Sequence, residues 1–208
     1  MKRFLTCAAM LCCAMLAFAK FTGTVTDAQG VKYTANDDDA TCYVSGRTYF
    51  SSADIVIHKR YQGRTVTAIG DRAFYGDAAE KLTSVVIPNT VTSIGNDAFR
   101  QCSQLTAIDI PSSVTSIGTG AFLGCSSLTS VVVPSSVTTI AKEAFRSCSA
   151  LASVLIPNTV TSIGQNAFYG CSCLTSVVIP EGVTTIGYYA FSGCICNLLC
   201  TNLFRLKR

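Results

Sequence analysis

Cysteine is the residue type in this chain that could do the most chemistry. Twelve occur among 208 residues. Thiols can join as disulfides, hold zinc or act as nucleophiles, and their spacing decides between these. Five of them, Cys102, Cys125, Cys148, Cys171 and Cys194, recur at a constant interval of 23 residues. Cys7, Cys12 and Cys13 fall in an apolar leader, which leaves nine, an odd number. A small disulfide scaffold does not space its cysteines at one strict period. The five are therefore expected to form a ladder of buried thiols, one per repeat, each a small apolar residue with a weak donor. A second group differs. Cys171 and Cys173 recur as Cys194 and Cys196, with Cys200 beyond. Stacked repeats would bring Cys173 close to Cys196, the candidate disulfide pair. Zinc binding and two reduced thiols are the alternatives.

The other reactive types are sparse. His58 is the single histidine and sits in a basic stretch with no partner His, Ser or Cys around it. A solvated loop residue is the expected reading. Asp37-Asp38-Asp39 lacks the alternating ligands of a calcium loop and reads as a hydrated turn. Gly118-Thr119-Gly120 with Gly124 has the wrong spacing for a nucleotide loop. No catalytic residue, metal site or cofactor is assigned.

The elements that must position these residues come from one repeated unit. It runs Val-Thr-Ser-Ile-Gly-x-x-Ala-Phe-x-x-Cys-x-x-Leu-Thr-Ser-Val-x-Ile-Pro-x-x. Its Phe falls at Phe99, Phe122, Phe145, Phe168 and Phe191, and its Pro at Pro88, Pro111, Pro134, Pro157 and Pro180. A fixed period of this size predicts a solenoid, in which each coil buries its apolar side against its neighbours. In Ser130-Val131-Val132-Val133 the alternation points Val131 and Val133 inward and Ser130 and Val132 outward. Pro134 then stops the strand, and Val137 with Ile140 brings a second extended segment to the core. The recurrent Gly is expected to permit a bend, with Ala141 the one exception. Ala-Phe is expected to open a short helical or 3-10 turn, with Cys three residues on. The predicted class is an α/β solenoid of parallel strands and short helical or 3-10 turns.

Three segments are expected. Lys2-Arg3, the apolar Phe4 to Phe18 and the Ala17-Phe18-Ala19 site read as a secretory signal over 1–19. The apolar run is too short to span a membrane comfortably. Residues 20–65 carry no repeat and alternate β-prone stretches with turn formers, a small β cap for the first coil. Residues 66–208 are the solenoid. Its first repeat carries two extra residues near Asp77 to Glu80, and its last decays after Cys194 into an uncapped end.

Charge excludes one class of partner. The formal net charge is +4, and only 13% of residues are charged. Removing Lys2 and Arg3 takes this to +2, and setting aside Arg205, Lys207 and Arg208 leaves −1. A nucleic-acid binder needs a dense basic face, so none is expected. Solenoids of this kind also present an extended surface, so no small-molecule substrate and no enzymatic activity is expected. The outward strand position instead gives Val86, Asp109, Val132, Leu155 and Val178, flanked by Ser84, Ala107, Ser130, Ser153 and Ser176. Two readings stand for this row. β-branched residues are favoured in strands, and solvent-facing apolar rows mark interaction sites.

The unit resembles the leucine-rich repeat of the BspA-like surface proteins. The strand Leu-x-x-Ile-x-Ile-Pro and the turn Ile-Gly-x-x-Ala-Phe-x-x-Cys stand nearly verbatim over 66–194, for example in Val91 to Leu105 and Leu174 to Pro180. Gly30-Val31-Lys32-Tyr33 and Ile55-Val56-Ile57 are similar to the β cap that often precedes such repeats, with Ile57-His58-Lys59-Arg60 where Ile-Pro is expected. The resemblance implies a right-handed leucine-rich-repeat stack. It further implies a secreted or cell-surface protein that binds other proteins, with adhesion to host or extracellular proteins as the role. A structural, self-associating surface-layer protein acting through the uncapped C-terminal end, or a fragment of a longer adhesin, is the alternative.

Overall fold

The computed structural model of the chain describes residues 23–38, 40–48, 53–76 and 81–195, together with the backbone of 197–200. The amino-terminal part is a small antiparallel unit of β1 (Thr24–Thr26), β2 (Val31–Ala35) and β3 (Thr41–Arg47). The next segment supplies β4 (Asp54–Val56), β5 (Arg60–Tyr61) and β6 (Arg64–Ile69). Five repeats then each add one first strand and one second strand. These are β7 (Ser84–Val86) with β8 (Ser93–Ile94), β9 (Ala107–Asp109) with β10 (Ser116–Ile117), and β11 (Ser130–Val132) with β12 (Thr139–Ile140). β13 (Ser153–Leu155) with β14 (Ser162–Ile163) and β15 (Ser176–Ile179) with β16 (Thr185–Ile186) follow, and β17 (Asn197–Cys200) closes the described chain.

The strands of successive coils pair in parallel, in register at equivalent residues of the unit except at the last pair, where Ser176 faces Asn197 two residues short of the repeat. First strands form the ladders β4-β7-β9, β11-β13 and β15-β17, and second strands form β3-β6-β8-β10 and β12-β14-β16. Coil pairing therefore reaches back to β4, where Ile55 faces Val85 and Val56 faces Val86 across the ladder. The antiparallel unit is joined to the coils through the parallel pair β3-β6. The strands form because each supplies one inward apolar residue between outward ones. Val131 and Val133 are buried while Ser130 and Val132 are exposed. Each closing Pro lets its carbonyl accept the N–H of the Val three residues on, as Pro111 does for Val114 at 3.0 Å, which turns the chain into the second strand.

One continuous core runs the length of the stack. Phe74, Phe99, Phe122, Phe145, Phe168 and Phe191 stack nearly parallel, with ring centroids 5.0 to 5.4 Å apart. The neighbouring Ala, Cys, Leu, Val and Ile of each unit are buried around them. Every coil thus sits on a near-copy of itself, so the apolar face of one unit is covered only by the next.

The expected helical or 3-10 turns are not there. Among the described residues there is no helix, and the chain is a β-solenoid rather than an α/β one. The backbone enters the left-handed region at Asp97 and Gln101, and again at Gly120 and Gly124, Glu143 and Ser147, and Asn166 and Gly170. Right-handed helical turns need negative φ throughout, so each such residue ends the helix before it starts. The N–H groups are spent between coils instead. Those of Asp97, Phe99 and Gln101 donate to the carbonyls of Thr119, Ala121 and Leu123 in the following coil, at 2.9, 2.7 and 2.7 Å. The turns form a third inter-coil ladder beside the two strand ladders.

The recurrent glycine is required for a reason other than a bend. Gly95, Gly118, Gly164 and Gly187 do not have positive φ. A Cβ on Gly95 would stand 2.7 Å from the carbonyl carbon of Gly70, so the coils meet there backbone to backbone.

Candidate protein-interaction face

The first strands lie side by side and expose every second residue. Val56, Val86, Val132, Leu155 and Val178 are 50 to 62% exposed, in one row across the coils. Asp109 occupies the same position between Val86 and Val132 and is also exposed. Beside this row run Ser84, Ala107, Ser130, Ser153 and Ser176, of which Ser84 is half-buried and the rest are exposed. The structure thus brings all five sequence-derived row residues together on one face. It adds Val56, which sequence reasoning missed. Its signal was the Ile55-Val56-Ile57 alternation, the same pattern as Val85-Val86-Ile87.

Asp54 begins the flanking row. Its carboxylate accepts Thr83 Oγ1 and Ser84 Oγ, each at 2.7 Å, and these hydrogen bonds hold its pKa below the ordinary carboxylate range. The second strands present hydroxyls. Thr92, Thr115, Thr161 and Thr184 each donate Oγ1–H to the carbonyl of the threonine one coil earlier, at 3.2 to 3.3 Å. These hydroxyls are already paired, whereas the outward row of the first strands offers methyl groups and the carboxylate of Asp109.

The cysteines are structural. Cys102, Cys125, Cys148 and Cys171 are buried, and each thiol donates to the carbonyl of the preceding coil's Phe at 3.1 to 3.3 Å. Burial raises the Cys148 thiol to about 12 and carries Cys125 well above its ordinary range. Cys171 is raised as well, first by its thiol neighbour Cys194 and then by burial. Thiols held protonated are poor nucleophiles and poor metal ligands. Of the candidate disulfide pair, Cys173 is exposed and Cys196 lies outside the described residues. Among the described residues no group of three His, Cys, Asp or Glu is placed to hold a metal ion.

His58 is better connected than its sequence context suggests. Its Nε2 lies 3.5 Å from Asp27 Oδ2, and its backbone N–H donates to Tyr33 Oη at 3.4 Å. Tyr33 donates its hydroxyl to the same Asp27 oxygen at 3.2 Å and stacks on Tyr61 at 4.3 Å. Burial pushes the Tyr33 phenol well above its usual range. Asp27 also accepts the N–H groups of Gln29 and Val31. The cluster ties the β1–β2 loop to the segment after β4, which is a cap-to-coil joint. Asp38 is likewise occupied, accepting from Ala40 N, Thr41 N and Thr41 Oγ1, and Asp39 lies outside the described residues. On the turn side two pairs escaped sequence reasoning. Arg100 sits over Tyr75 at 5.5 Å and Arg146 over Tyr169 at 5.2 Å.

With this geometry in view, the relatives are informative. Residues 67–197 match the BspA type leucine-rich repeat region in six copies. No match is found among curated proteins. Among solved structures, the chain is similar to a leucine-rich cell surface protein from Faecalibacterium prausnitzii A2-165. Identity is 32% over 88% of this chain and 55% of that one, with a TM-score of 0.63. It is similar to the T. pallidum leucine-rich repeat protein, at 29% identity over 82% of this chain and 89% of that one, with a TM-score of 0.70. A leucine-rich repeat protein from Bacteroides ovatus ATCC 8483 is 33% identical over 84% of this chain and 40% of its own, with a TM-score of 0.57. The chain therefore spans about half the length of the first of these relatives. Six stacked copies of the unit, its buried Phe and Cys ladders and these likenesses agree: the chain belongs to the BspA-type leucine-rich repeat family.

Proposed function

We propose that this chain is a secreted or cell-surface protein that binds other proteins through the exposed faces of its first strands, in adhesion to host or extracellular proteins. The observation that carries the reading is the apolar row Val56, Val86, Val132, Leu155 and Val178, half or more exposed on the parallel first strands. Scattered surface apolar residues are ordinary, but an aligned apolar row, broken here only at Asp109 and rimmed by polar residues, is what interaction faces present. The likeness to a leucine-rich cell surface protein supports the location, as does the secretory-signal pattern read in residues 1–19, which lie outside the described residues. No catalytic step is part of this reading, because the polar clusters described above are spent on caps and turns.

The test is capture of the purified chain on immobilised extracellular-matrix and plasma proteins, beside the variant Val132→Arg/Leu155→Arg. Saturable capture by the wild type and its loss in the folded variant is the expected result. Capture that survives both arginines would place binding elsewhere on the molecule.

Self-association is a second reading, favoured by the last coil. The backbone N–H groups of Tyr189, Phe191 and Gly193 have no partner among the described residues, whereas their equivalents in the coils of Phe99, Phe122, Phe145 and Phe168 all donate onward. Tyr188, Tyr189 and Ile195 are strongly exposed beside them. Concentration-dependent sedimentation of the full chain separates this from binding by a monomer.

A further inference from the structure

Resting on the interaction reading above, the face itself says something about what it binds. Row by row, the first strands present Asp54, Ser84, Ala107, Ser130, Ser153 and Ser176, and then Val56, Val86, Asp109, Val132, Leu155 and Val178. Two carboxylates stand in these rows and no basic residue does. Asp54 is occupied by its hydroxyl donors. Asp109 is exposed and has no hydrogen-bond or ion-pair partner among the described residues. Its Cα partner across the ladder is Val86, and Val132 holds the same position on its other side. Paired strands lie roughly 4.8 Å apart, which sets the Val86 methyl groups close against the carboxylate; β11 is not paired with β9, but Thr129 N donates to Thr106 O at 3.2 Å just before the two strands and keeps Val132 on the other side.

A partner that covers the valine row must also cover this carboxylate. Doing so removes its water, and a desolvated carboxylate among methyl groups is strongly unfavourable unless a donor meets it. A wholly apolar partner would incur that penalty, and an acidic one would add repulsion. We propose that Asp109 is the specificity-determining position of the strand face. It selects a protein partner that carries an arginine or lysine between apolar side chains, the cation meeting Asp109 while the flanking apolar groups meet Val86 and Val132. A guanidinium fits best, because it can offer two parallel N–H donors to one carboxylate.

The experiment pans a displayed random-peptide library against the full chain, Asp109→Lys, Asp109→Asn and Val132→Arg/Leu155→Arg, each first shown to melt like the wild type. The expected result is enrichment of peptides with a basic residue between apolar ones on the wild type. On Asp109→Lys the preference should turn to acidic residues between apolar ones. A peptide selected on the wild type should bind Asp109→Asn about tenfold more weakly, the loss of one charged hydrogen bond, and should not bind the double arginine variant. Apolar peptides enriched equally by wild type and Asp109→Lys would overturn the role of Asp109 and leave the strand face standing. Enrichment that persists in the double arginine variant would instead overturn the strand face. Absence of any enrichment on the wild type would count against both.

Discussion

Gly164 lies so close to the preceding coil that a Cβ on it would stand 2.5 Å from the backbone nitrogen of Lys142. The same contact recurs at Gly118 against Asn96 and at Gly187 against Gln165. One coil breaks the pattern by carrying Ala141 in the glycine position, and the consequence is visible on the second-strand ladder, whose single break, between β10 and β12, falls at this coil. Gly118 donates its N–H to Ile94 and Gly164 to Ile140, but Ala141 makes no equivalent bond to Ile117. Thr161 N donates to Thr138, yet Thr138 N does not reach Thr115. The turn ladder holds across this seam, through Phe122 N to Ala144 O at 2.8 Å. The second-strand ladder thus opens at this methyl group while the turn ladder stays shut.

Ala141→Gly should close the seam. The regained bonds, each worth about 1 kcal/mol net, offset the roughly 0.5–1 kcal/mol that glycine costs through the unfolded chain. Thermal stability should therefore change little, while amide exchange at 138 and 141 slows markedly. Gly164→Ala should do the reverse, costing about 1–3 kcal/mol as the coils are forced apart. Hydrogen exchange on both variants checks this, and unchanged exchange at 138 and 141 in Ala141→Gly would show the seam has another cause.

The aromatic stack makes a graded prediction. Phe145 is fully buried and touches two rings, Phe122 at 5.3 Å and Phe168 at 5.4 Å. Phe145→Ala should cost about 3–5 kcal/mol. Phe191 is only partly buried and stacks on Phe168 at 5.2 Å with no second ring described. Phe191→Ala should cost less than half as much. Urea denaturation of the two variants orders them, and equal losses would mean that the stack is not the source of the cost.

The repeat, its inward and outward residues and its thiol ladder were legible because each position is written several times over. Val131 in and Val132 out need only the two-residue strand period. The turn was misread because Phe and Cys three apart fit a helix as well as a chain of turns. The contrary signal was present in the glycine and asparagine at Gly120, Gly124, Asn166 and Gly170, the residues that enter the left-handed region most easily. Two features could not be read locally. His58 meets Asp27 across the cap, and the glycine contact is between coils, so neither has a signature within its own segment.

The thiol ladder should make the protein alkali-sensitive. In the unfolded chain a thiol ionises near pH 8.5. In the fold, burial raises Cys42 to about 11 and Cys148 to about 12, with Cys125 and Cys171 also raised. A folded pKa above the unfolded one gives stability that is fully present below the unfolded value and is lost as pH rises toward the folded one. Each such thiol then removes about 1.4 kcal/mol per pH unit above the unfolded value. Unfolding free energy should fall steeply from pH 9 upward, and less steeply in Cys125→Ala/Cys148→Ala. Identical slopes in the two proteins would mean that other groups carry the alkaline loss.

Two adjacent valines give the sharpest test of which side of the strand faces a partner. Val131 is 3% exposed and Val132 is 58% exposed. Val131→Arg would bury an unpaired guanidinium among apolar side chains, at a cost above about 4 kcal/mol. Val132→Arg should stay within about 0.5 kcal/mol of the wild type, as surface changes do. Leu155 is the Cα partner of Val132 in the next coil and equally open, so adding Leu155→Arg should cost little more, apart from modest repulsion between the two cations. Circular-dichroism melting of the three variants reads the stability half, and capture on immobilised matrix proteins reads the other. A double arginine variant that melts normally and no longer binds ties the loss to the face and not to the fold. If instead it unfolds like Val131→Arg, the row is holding the coils together rather than awaiting a partner.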